Sequence, residues 1–161
     1  MLLRENEKIL KVYRHHPTPF VLSMLKVIAG SFPFFILLYF MKDSVSSGTF
    51  WGLHVLIFVI FSLILIYKAL MYWLDRLIVT NIRIVHVDWK YLTIRNEYEA
   101  DLNDIQDIIT KEKGFLSHFW VFDYGEFKLQ TASNRSIIFF DQAPDPEGIR
   151  QFVYSLKPNN R

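Results

Sequence analysis

Two long apolar segments constrain this chain more than any other feature of its sequence. The first, Phe20–Met41, contains a single charged residue, Lys26, and the second runs from about Phe50 to Tyr72. A helix of 22 residues rises about 33 Å, slightly more than the hydrocarbon thickness of a bilayer, about 30 Å. The rest of a 161-residue chain is too short to bury two helices that are apolar on all sides. The sequence therefore predicts transmembrane helices at residues 20–41 and 50–72, forming a hairpin at 20–73.

Basic residues are distributed unevenly around these segments. The loop between them, residues 42–49, carries one, whereas the segment before the first helix carries four, namely Arg4, Lys8, Lys11 and Arg14. Loops rich in lysine and arginine are retained in the cytoplasm. The sequence therefore predicts an integral protein of the inner cell membrane, with both termini in the cytoplasm and the loop outside.

Five residues near the ends of the two segments are expected to anchor the helices at the membrane interfaces. Tryptophan and tyrosine are enriched at these interfaces, and a lysine can extend its amine from the apolar region to the headgroups. The predicted anchors are Lys26, Trp51, Lys68, Tyr72 and Trp73. Neither segment contains an acidic residue that could form a proton relay with the lysines.

From residue 74 onward the hydrophobic pattern changes to that of β-strands, and 24 charged residues give residues 74–161 a net charge of −2. Alternating apolar residues and intervening turn residues predict strands at Leu77–Val79, Arg83–Trp89, Leu92–Ala100, Ile105–Thr110, Gly125–Ala132 and Ser136–Phe140. We expect a mainly β domain of class α+β at residues 74–161. Residues 1–19 are expected to be a cytoplasmic N-terminal segment, and the sequence does not decide between strand and short helix there.

The last element is predicted to be an amphipathic helix. Asp145 can cap it, Pro146 suits its first position, and Pro158 ends it. Its apolar stripe consists of Ile149, Phe152, Val153 and Leu156. We expect Phe152 to plug one end of a small barrel or sandwich of six or seven antiparallel strands.

Several motifs in the domain carry a resemblance to a known family. They are T-N-x-R at Thr80–Arg83, E-x-x-L-x-D-I at Glu99–Ile105 and the strand that begins Tyr124-Gly125, and they follow a basic, histidine-containing entry, KVYRHHP, before the first helix. In these motifs the chain resembles the bacterial PH-like domain family of membrane-associated proteins, whose members commonly carry two spans. The resemblance implies a PH-like fold, with two orthogonal antiparallel sheets capped by a C-terminal helix, and it implies no established catalytic activity.

No motif indicates catalysis or a bound cofactor. The chain has no cysteine, and its six glycines form no phosphate-binding loop and no nucleophile elbow. The histidines lack metal-ligand spacing, and the aspartates at 101, 104 and 107 lack the pattern of a calcium loop. The sequence predicts no enzyme, no cofactor and no metal. With one basic residue in the first hairpin turn and no basic run, neither specific phosphoinositide binding nor nucleic-acid binding is expected.

The segment Phe115–Phe122 is unusually apolar for a connection between strands. One interpretation is that it covers the domain core as a strand or short helix. The other is that it forms an exposed patch that contacts the membrane or a partner chain. The residues for that second interpretation are Phe115, Leu116, Phe119, Trp120 and Phe122.

These observations favour a non-catalytic inner-membrane protein whose cytoplasmic PH-like domain mediates protein interaction or assembly. Its expected partners are membrane lipid, as an integral protein, and either another protein or further copies of itself. One alternative is a lipid-sensing or envelope-stress component. A second alternative, an oligomeric membrane enzyme or transporter, has less support, because two spans enclose no pathway without oligomerising.

Overall fold

The computed structural model describes residues 3–112, 123–132 and 137–157. These residues divide into two units: the first comprises residues up to Thr18 and from Met71 onward, and the second is Pro19–Leu70. The elements in chain order are β1 (Ile9–Tyr13), α1 (Pro17–Phe40), α2 (Ser47–Leu74), β2 (Arg76–Thr80), β3 (Arg83–Lys90), β4 (Ile94–Asp101), a 3-10 turn (Leu102–Asp104), β5 (Ile105–Glu112), β6 (Tyr124–Thr131), β7 (Ile137–Pro144) and α3 (Pro146–Leu156).

Helices α1 and α2 are long and apolar, with 24 and 28 residues, so each has the length and composition to cross a membrane. They contact each other through aromatic rings and one polar pair. The Phe34 and Phe61 rings lie 5.6 Å apart, and Lys68 Nζ on α2 donates to Ser23 Oγ on α1 over 2.9 Å. Helix α1 begins before the predicted segment 20–41 and ends at Phe40, and α2 extends beyond the predicted segment 50–72 at both ends.

The strands form two antiparallel sheets, in the order β1-β2-β3-β4 and β5-β6-β7, and α3 follows as the C-terminal helix. The prediction of antiparallel sheets with a C-terminal helix is therefore confirmed. The predicted strand Leu92–Ala100 begins only at Ile94, because Tyr91 and Leu92 adopt left-handed φ values of 56° and 58° in the β3–β4 turn. β7 continues four residues past the predicted end at Phe140.

The N-terminal segment is part of the first sheet, which differs from the predicted division at residue 74. β1 pairs antiparallel with β2, with Tyr13 opposite Leu77 and Lys11 opposite Val79. β1 precedes α1 and β2 follows α2, so the sheet is assembled from both ends of the helical pair. The sequence did not distinguish this strand from a short helix, because the strand is only five residues long and has an irregularity in register between Ile9 and Lys11.

The main core contains residues from both sheets and α3. Its largest fully buried side chains include Phe127, Phe140, Leu77, Ile84 and Ile149. On α3, Ile149 and Val153 are fully buried, whereas Phe152 and Leu156 pack against the core only in part. The expected stripe therefore faces the core, but Phe152 is at its edge rather than at its centre. The helix begins as expected, since Asp145 Oδ1 accepts from the Gly148 amide over 2.8 Å.

Gly125 offers a sharp test of how β5 and β6 pair. A Cβ at this position would lie 2.1 Å from the carbonyl oxygen of Lys111 on the paired strand. Because that atom belongs to the backbone, Gly125→Ala must separate the strands, and we expect it to lower the free energy of unfolding by about 1–3 kcal/mol. Gly30→Ala is the matched control, since a Cβ there meets nothing within 4 Å. Thermal unfolding of the full-length protein in detergent measures both, and equal melting temperatures would contradict the close approach.

Candidate functional site at the ends of the helical pair

The turn between β2 and β3 binds the N-terminal segment. Thr80 Oγ1 closes the turn by accepting from the Arg83 amide over 3.0 Å. Asn81 Oδ1 accepts from the Lys8 amide over 2.7 Å, and Asn81 Nδ2 donates to the Asn6 carbonyl over 3.1 Å. Thr80, Asn81 and Arg83 are the specified residues of the T-N-x-R motif. The motif therefore has a structural role, which is to hold the chain that leads into β1.

A buried ion pair completes this attachment. Arg83 Nε and Nη2 donate to the two carboxylate oxygens of Glu7 over 2.8 and 2.9 Å, and Arg83 also pairs with Glu99. The Glu7 side chain is fully buried. The hydrogen bond from Arg83 is the main cause that lowers the pKa of Glu7 to about 2, against the opposing effect of burial, and the same bond raises the pKa of Arg83. The one basic residue of the turn is thus neutralised by two carboxylates.

A second cluster joins the chain segments at the two helix ends. His15 lies two residues before α1 begins, and Asp75 directly follows the last residue of α2. Asp75 Oδ2 lies 3.1 Å from His15 Nε2, and Asp75 Oδ1 lies 3.1 Å from Nε2 of His86 on β3. One carboxylate therefore bridges two imidazoles. The side chains of His15, Asp75 and His86 are 10%, 17% and 7% exposed.

Strand β7 supports this cluster from the second sheet. The rings of His15 and Phe140 stack with centroids 4.7 Å apart, and the His86 ring meets Phe140 edge-on at 5.3 Å. His15 Nδ1 lies 2.7 Å from the carbonyl oxygen of Asp141. The Tyr72 hydroxyl, at the end of α2, donates to the His15 carbonyl over 3.0 Å. The segment before α1 is therefore hydrogen-bonded to Tyr72 and to β7.

The hydrogen-bond partners of the two imidazoles determine their protonation. Both nitrogens of His15 face oxygen acceptors, a carboxylate and a carbonyl, so both must donate and His15 is an imidazolium. His86 Nε2 donates to Asp75, whereas the buried His86 Nδ1 meets no hydrogen-bond partner among the described residues. A proton there would lack an acceptor among these residues, so the contacts favour the Nε2–H tautomer of His86.

The pKa values of His15 and Asp75 shift in the direction that these contacts require. Burial disfavours the charge on His15, but the hydrogen bond and charge of Asp75, helped by Asp141, outweigh it and raise the pKa of His15 above 6.5. Burial also opposes ionisation of Asp75, but hydrogen bonds from His15 and His86 outweigh it and lower the pKa of Asp75 below 3.8. The contacts therefore favour an ion pair between His15 and Asp75, with His86 hydrogen-bonded to the second oxygen of the same carboxylate.

The chemistry available to this cluster is proton binding. Both carboxylate oxygens of Asp75 accept from imidazoles, so the nitrogens that face it are donors rather than metal ligands. Among the described residues, no group of three histidine, aspartate or glutamate side chains is arranged to hold a metal ion.

The predicted interface anchors occupy different environments. Trp51 and Trp73 are 64% and 66% exposed, and Lys26 is also exposed. Lys68 is hydrogen-bonded to Ser23, and Tyr72 to the His15 carbonyl. The residues proposed for an aromatic patch, which are Phe115, Leu116, Phe119, Trp120 and Phe122, lie outside the described residues, and their predicted contact stays a prediction.

The outer face of the second sheet carries a separate apolar feature. Ile109, Lys128 and Phe139 lie side by side on β5, β6 and β7. Ile109 is 37% and Phe139 47% exposed, and with Lys111 and Glu126 they line a shallow cleft of about 150 Å³. Lysine and glutamate therefore alternate around two exposed apolar side chains.

Sequence analysis missed the histidine cluster because it examined each histidine against its neighbours in sequence. His15 and His86 are 71 positions apart, and only the β1–β2–β3 sheet brings both to Asp75. One signal was available: Asp75 is the only acidic residue between Asp43 and Asp88, and it follows an apolar helix directly. A lone carboxylate at such a position needs partners, and a histidine is a common one.

Comparison with known proteins gives one structural similarity. No protein-family model matches the chain, and no curated protein sequence matches it significantly. A solved structure from Shewanella loihica PV-4, described as a DUF1696 family protein with a pleckstrin-homology domain, is 17% identical with a TM-score of 0.40. The match covers 52% of this chain and 71% of that one.

Proposed function

We propose that this chain is a non-catalytic protein of the inner cell membrane, in which α1 and α2 cross the bilayer and the β domain mediates protein interaction or assembly on the cytoplasmic side. The proposal combines a membrane hairpin with a folded unit built from the chain on both sides of it. The domain would take its protein partner, or further copies of the chain, at the membrane surface.

The pairing of β1 with β2 is the observation that carries this proposal. These strands flank the two apolar helices, and they pair over Ile9–Tyr13. Strands of one sheet must lie on the same side of a membrane, because no backbone can pair through the hydrocarbon. Two crossings return the chain to the side from which it started. The sheet therefore supports an even number of crossings, independently of the basic residues that favour the cytoplasm.

The surface charges favour a protein partner over recognition of anionic lipid. The exposed Ile109 and Phe139 are accompanied by Lys111 and Lys128 but also by Glu126. An anionic bilayer attracts a surface with a clear excess of lysine and arginine. A surface with both charges around apolar side chains is typical of protein interfaces. Arg83, the basic residue of the β2–β3 turn, is already paired with Glu7 and Glu99.

A photoreactive amino acid at Ile109, in the full-length protein in intact cells, tests this function. We expect a discrete protein adduct, because Ile109 is exposed beside Lys128 and Phe139 on the proposed surface. Lys128→Glu should abolish that adduct. The same probe at Tyr91, which is 74% exposed on the β3–β4 turn, is the matched control and should give none.

Two results would contradict the proposed function. An adduct with lipid alone would support the lipid-sensing alternative instead. Identical adducts at Ile109 and Tyr91, unaffected by Lys128→Glu, would mean that the β5–β6–β7 surface is not an interface. An adduct at twice the mass of the chain would identify the partner as a second copy.

A further inference from the structure

We propose that His15, Asp75 and His86 form a proton-operated clasp on the chain segments that flank the helical pair. The clasp is closed while His15 carries its proton and loosens when that proton leaves. The inference concerns three residues that lie outside the unit Pro19–Leu70, so it does not depend on the partner of the β domain or on membrane insertion.

The geometry of His15 makes the clasp sensitive to a single proton. Its Nε2 donates to Asp75 over 3.1 Å and its Nδ1 donates to the Asp141 carbonyl over 2.7 Å. A neutral imidazole has only one N–H, so deprotonation leaves a nitrogen lone pair against an oxygen acceptor. Either the bond to Asp75 or the bond to β7 is then lost. The first joins the segment before α1 to the segment after α2, and the second joins it to the other sheet.

The groups around the cluster leave no substitute for that proton. His15 is faced by Asp75, by the Asp141 carbonyl and by the Asp141 carboxylate, whose Oδ1 lies 3.6 Å from His15 Nδ1. The uncharged Phe140 ring covers one face. No cation other than His15 itself is among these contacts, which cover the described residues. Loss of the His15 charge would therefore leave two carboxylates near each other in a half-buried site.

His86 holds the second oxygen of Asp75 and keeps that carboxylate in place. Its Nε2 donates to Asp75 Oδ1 over 3.1 Å, the Tyr98 ring of β4 stacks at 6.2 Å, and Phe140 meets it edge-on. Because this bond requires only a neutral imidazole, it persists when His15 is deprotonated. His86 is thus the fixed side of the clasp and His15 the side that releases.

The pH range of release follows from the sign of each shift. The pKa of His15 is raised in the folded protein, so its contribution is complete below 6.5 and is lost as pH rises through the raised value. The pKa of Asp75 is lowered, so its contribution is present above 3.8 and is lost only as pH falls through the lowered value. The clasp is therefore tightest between about pH 4 and 6.5 and releases on the alkaline side.

Two measurements on the full-length protein in detergent test the clasp. Imidazole ¹⁵N chemical shifts of the five histidines, assigned by substitution, report protonation. Hydrogen exchange of β1 and residues 14–16, corrected for intrinsic rates, reports release. We expect His15 to titrate above pH 6.5. Protection of β1 should fall across that midpoint, by about tenfold for each pH unit that separates the midpoint from the unfolded value.

Variants separate the clasp from a merely structural role. Asp75→Asn should move the His15 midpoint downward, and His15→Gln should remove the pH dependence of β1 protection. His54→Gln is the matched control: its Nδ1 bonds the Phe50 carbonyl within α2, so we expect it to change neither readout. A His15 midpoint at or below 6.5 in the wild-type protein, or β1 protection that stays constant across that midpoint, would overturn the proposal. The His15 titration and the hydrogen exchange of β1 can both be measured in the wild-type protein, so the test does not depend on whether a variant folds.

Discussion

Replacing Arg83 with methionine is expected to lower the free energy of unfolding by about 3–5 kcal/mol, because the substitution leaves the fully buried Glu7 carboxylate without its cation. The loss reaches beyond the pair itself. Glu7 also receives a hydrogen bond from the Thr80 hydroxyl, so the substitution would weaken the attachment of the N-terminal segment to the β2–β3 turn, which the bonds of Asn81 to Asn6 and Lys8 would still maintain. Thermal unfolding of the full-length protein in detergent measures the effect.

A surface ion pair of the same sheet provides the control. Arg95 pairs with Glu97, with side chains 37% and 28% exposed, and exposed pairs typically contribute about 0–1 kcal/mol. Arg95→Met should therefore change the melting temperature little. The double variant Glu7→Gln/Arg83→Met should be more stable than the sum of its single effects predicts, because it removes both charges. Equal effects of Arg83→Met and Arg95→Met would contradict a buried role for Arg83.

Phe127→Ala is the second substitution with a large expected effect. Phe127 lies on the central strand of the second sheet and is fully buried in the main core. Truncating such a side chain costs about 3–5 kcal/mol in lost transfer energy and cavity formation. Phe152→Ala, on α3, is the matched control, because Phe152 is only partly buried. We expect it to lower stability by less than half as much.

The two phenylalanine variants also test whether Phe152 is a central residue of the core. From the sequence, Phe152 is expected to plug one end of the barrel, whereas in the structure Ile149 and Val153 are the fully buried residues of α3. We expect the melting temperature of the Phe127→Ala variant, measured in detergent on the full-length protein, to be well below that of the Phe152→Ala variant. The reverse order would restore Phe152 to the core and would mean that α3 is rotated about its axis.

Local pattern was sufficient for most elements of the fold. The two apolar helices, the strands β2 to β7 and the capped helix beginning at Pro146 follow from residue periodicity and from residues such as Asp145. The alternation in β3 was less informative. Alternation puts Val85 and Val87 on the face opposite Ile84, yet the structure buries all three, because Val85 and Val87 pack with Ile78 and Trp89 in a second cluster. Alternation of apolar and polar residues identifies a strand with one buried face, but it does not identify a strand that is buried on both faces.

The candidate site depends on contacts between residues far apart in sequence, and for that reason local pattern did not reveal it. Glu7 and Arg83 are 76 residues apart, and His15 and Asp141 are 126 apart. Strand β1 creates these contacts, and its five residues carry no distinct periodicity. The T-N-x-R motif is recognisable from the sequence, but its role depends on the hydrogen bond between Asn81 and the backbone of Lys8, which only the structure shows.

Single-cysteine accessibility in intact cells tests most directly whether the domain is assembled on one side of a membrane from both ends of a helical hairpin. The chain has no native cysteine, so single substitutions at exposed positions report without background: Glu5→Cys before α1, Ser44→Cys between the helices and Tyr91→Cys in the domain. We expect a membrane-impermeant thiol reagent to label only Ser44→Cys, and Glu5→Cys and Tyr91→Cys to react only after permeabilisation. Labelling of Glu5→Cys and Tyr91→Cys from opposite sides, or of all three without permeabilisation, would contradict it.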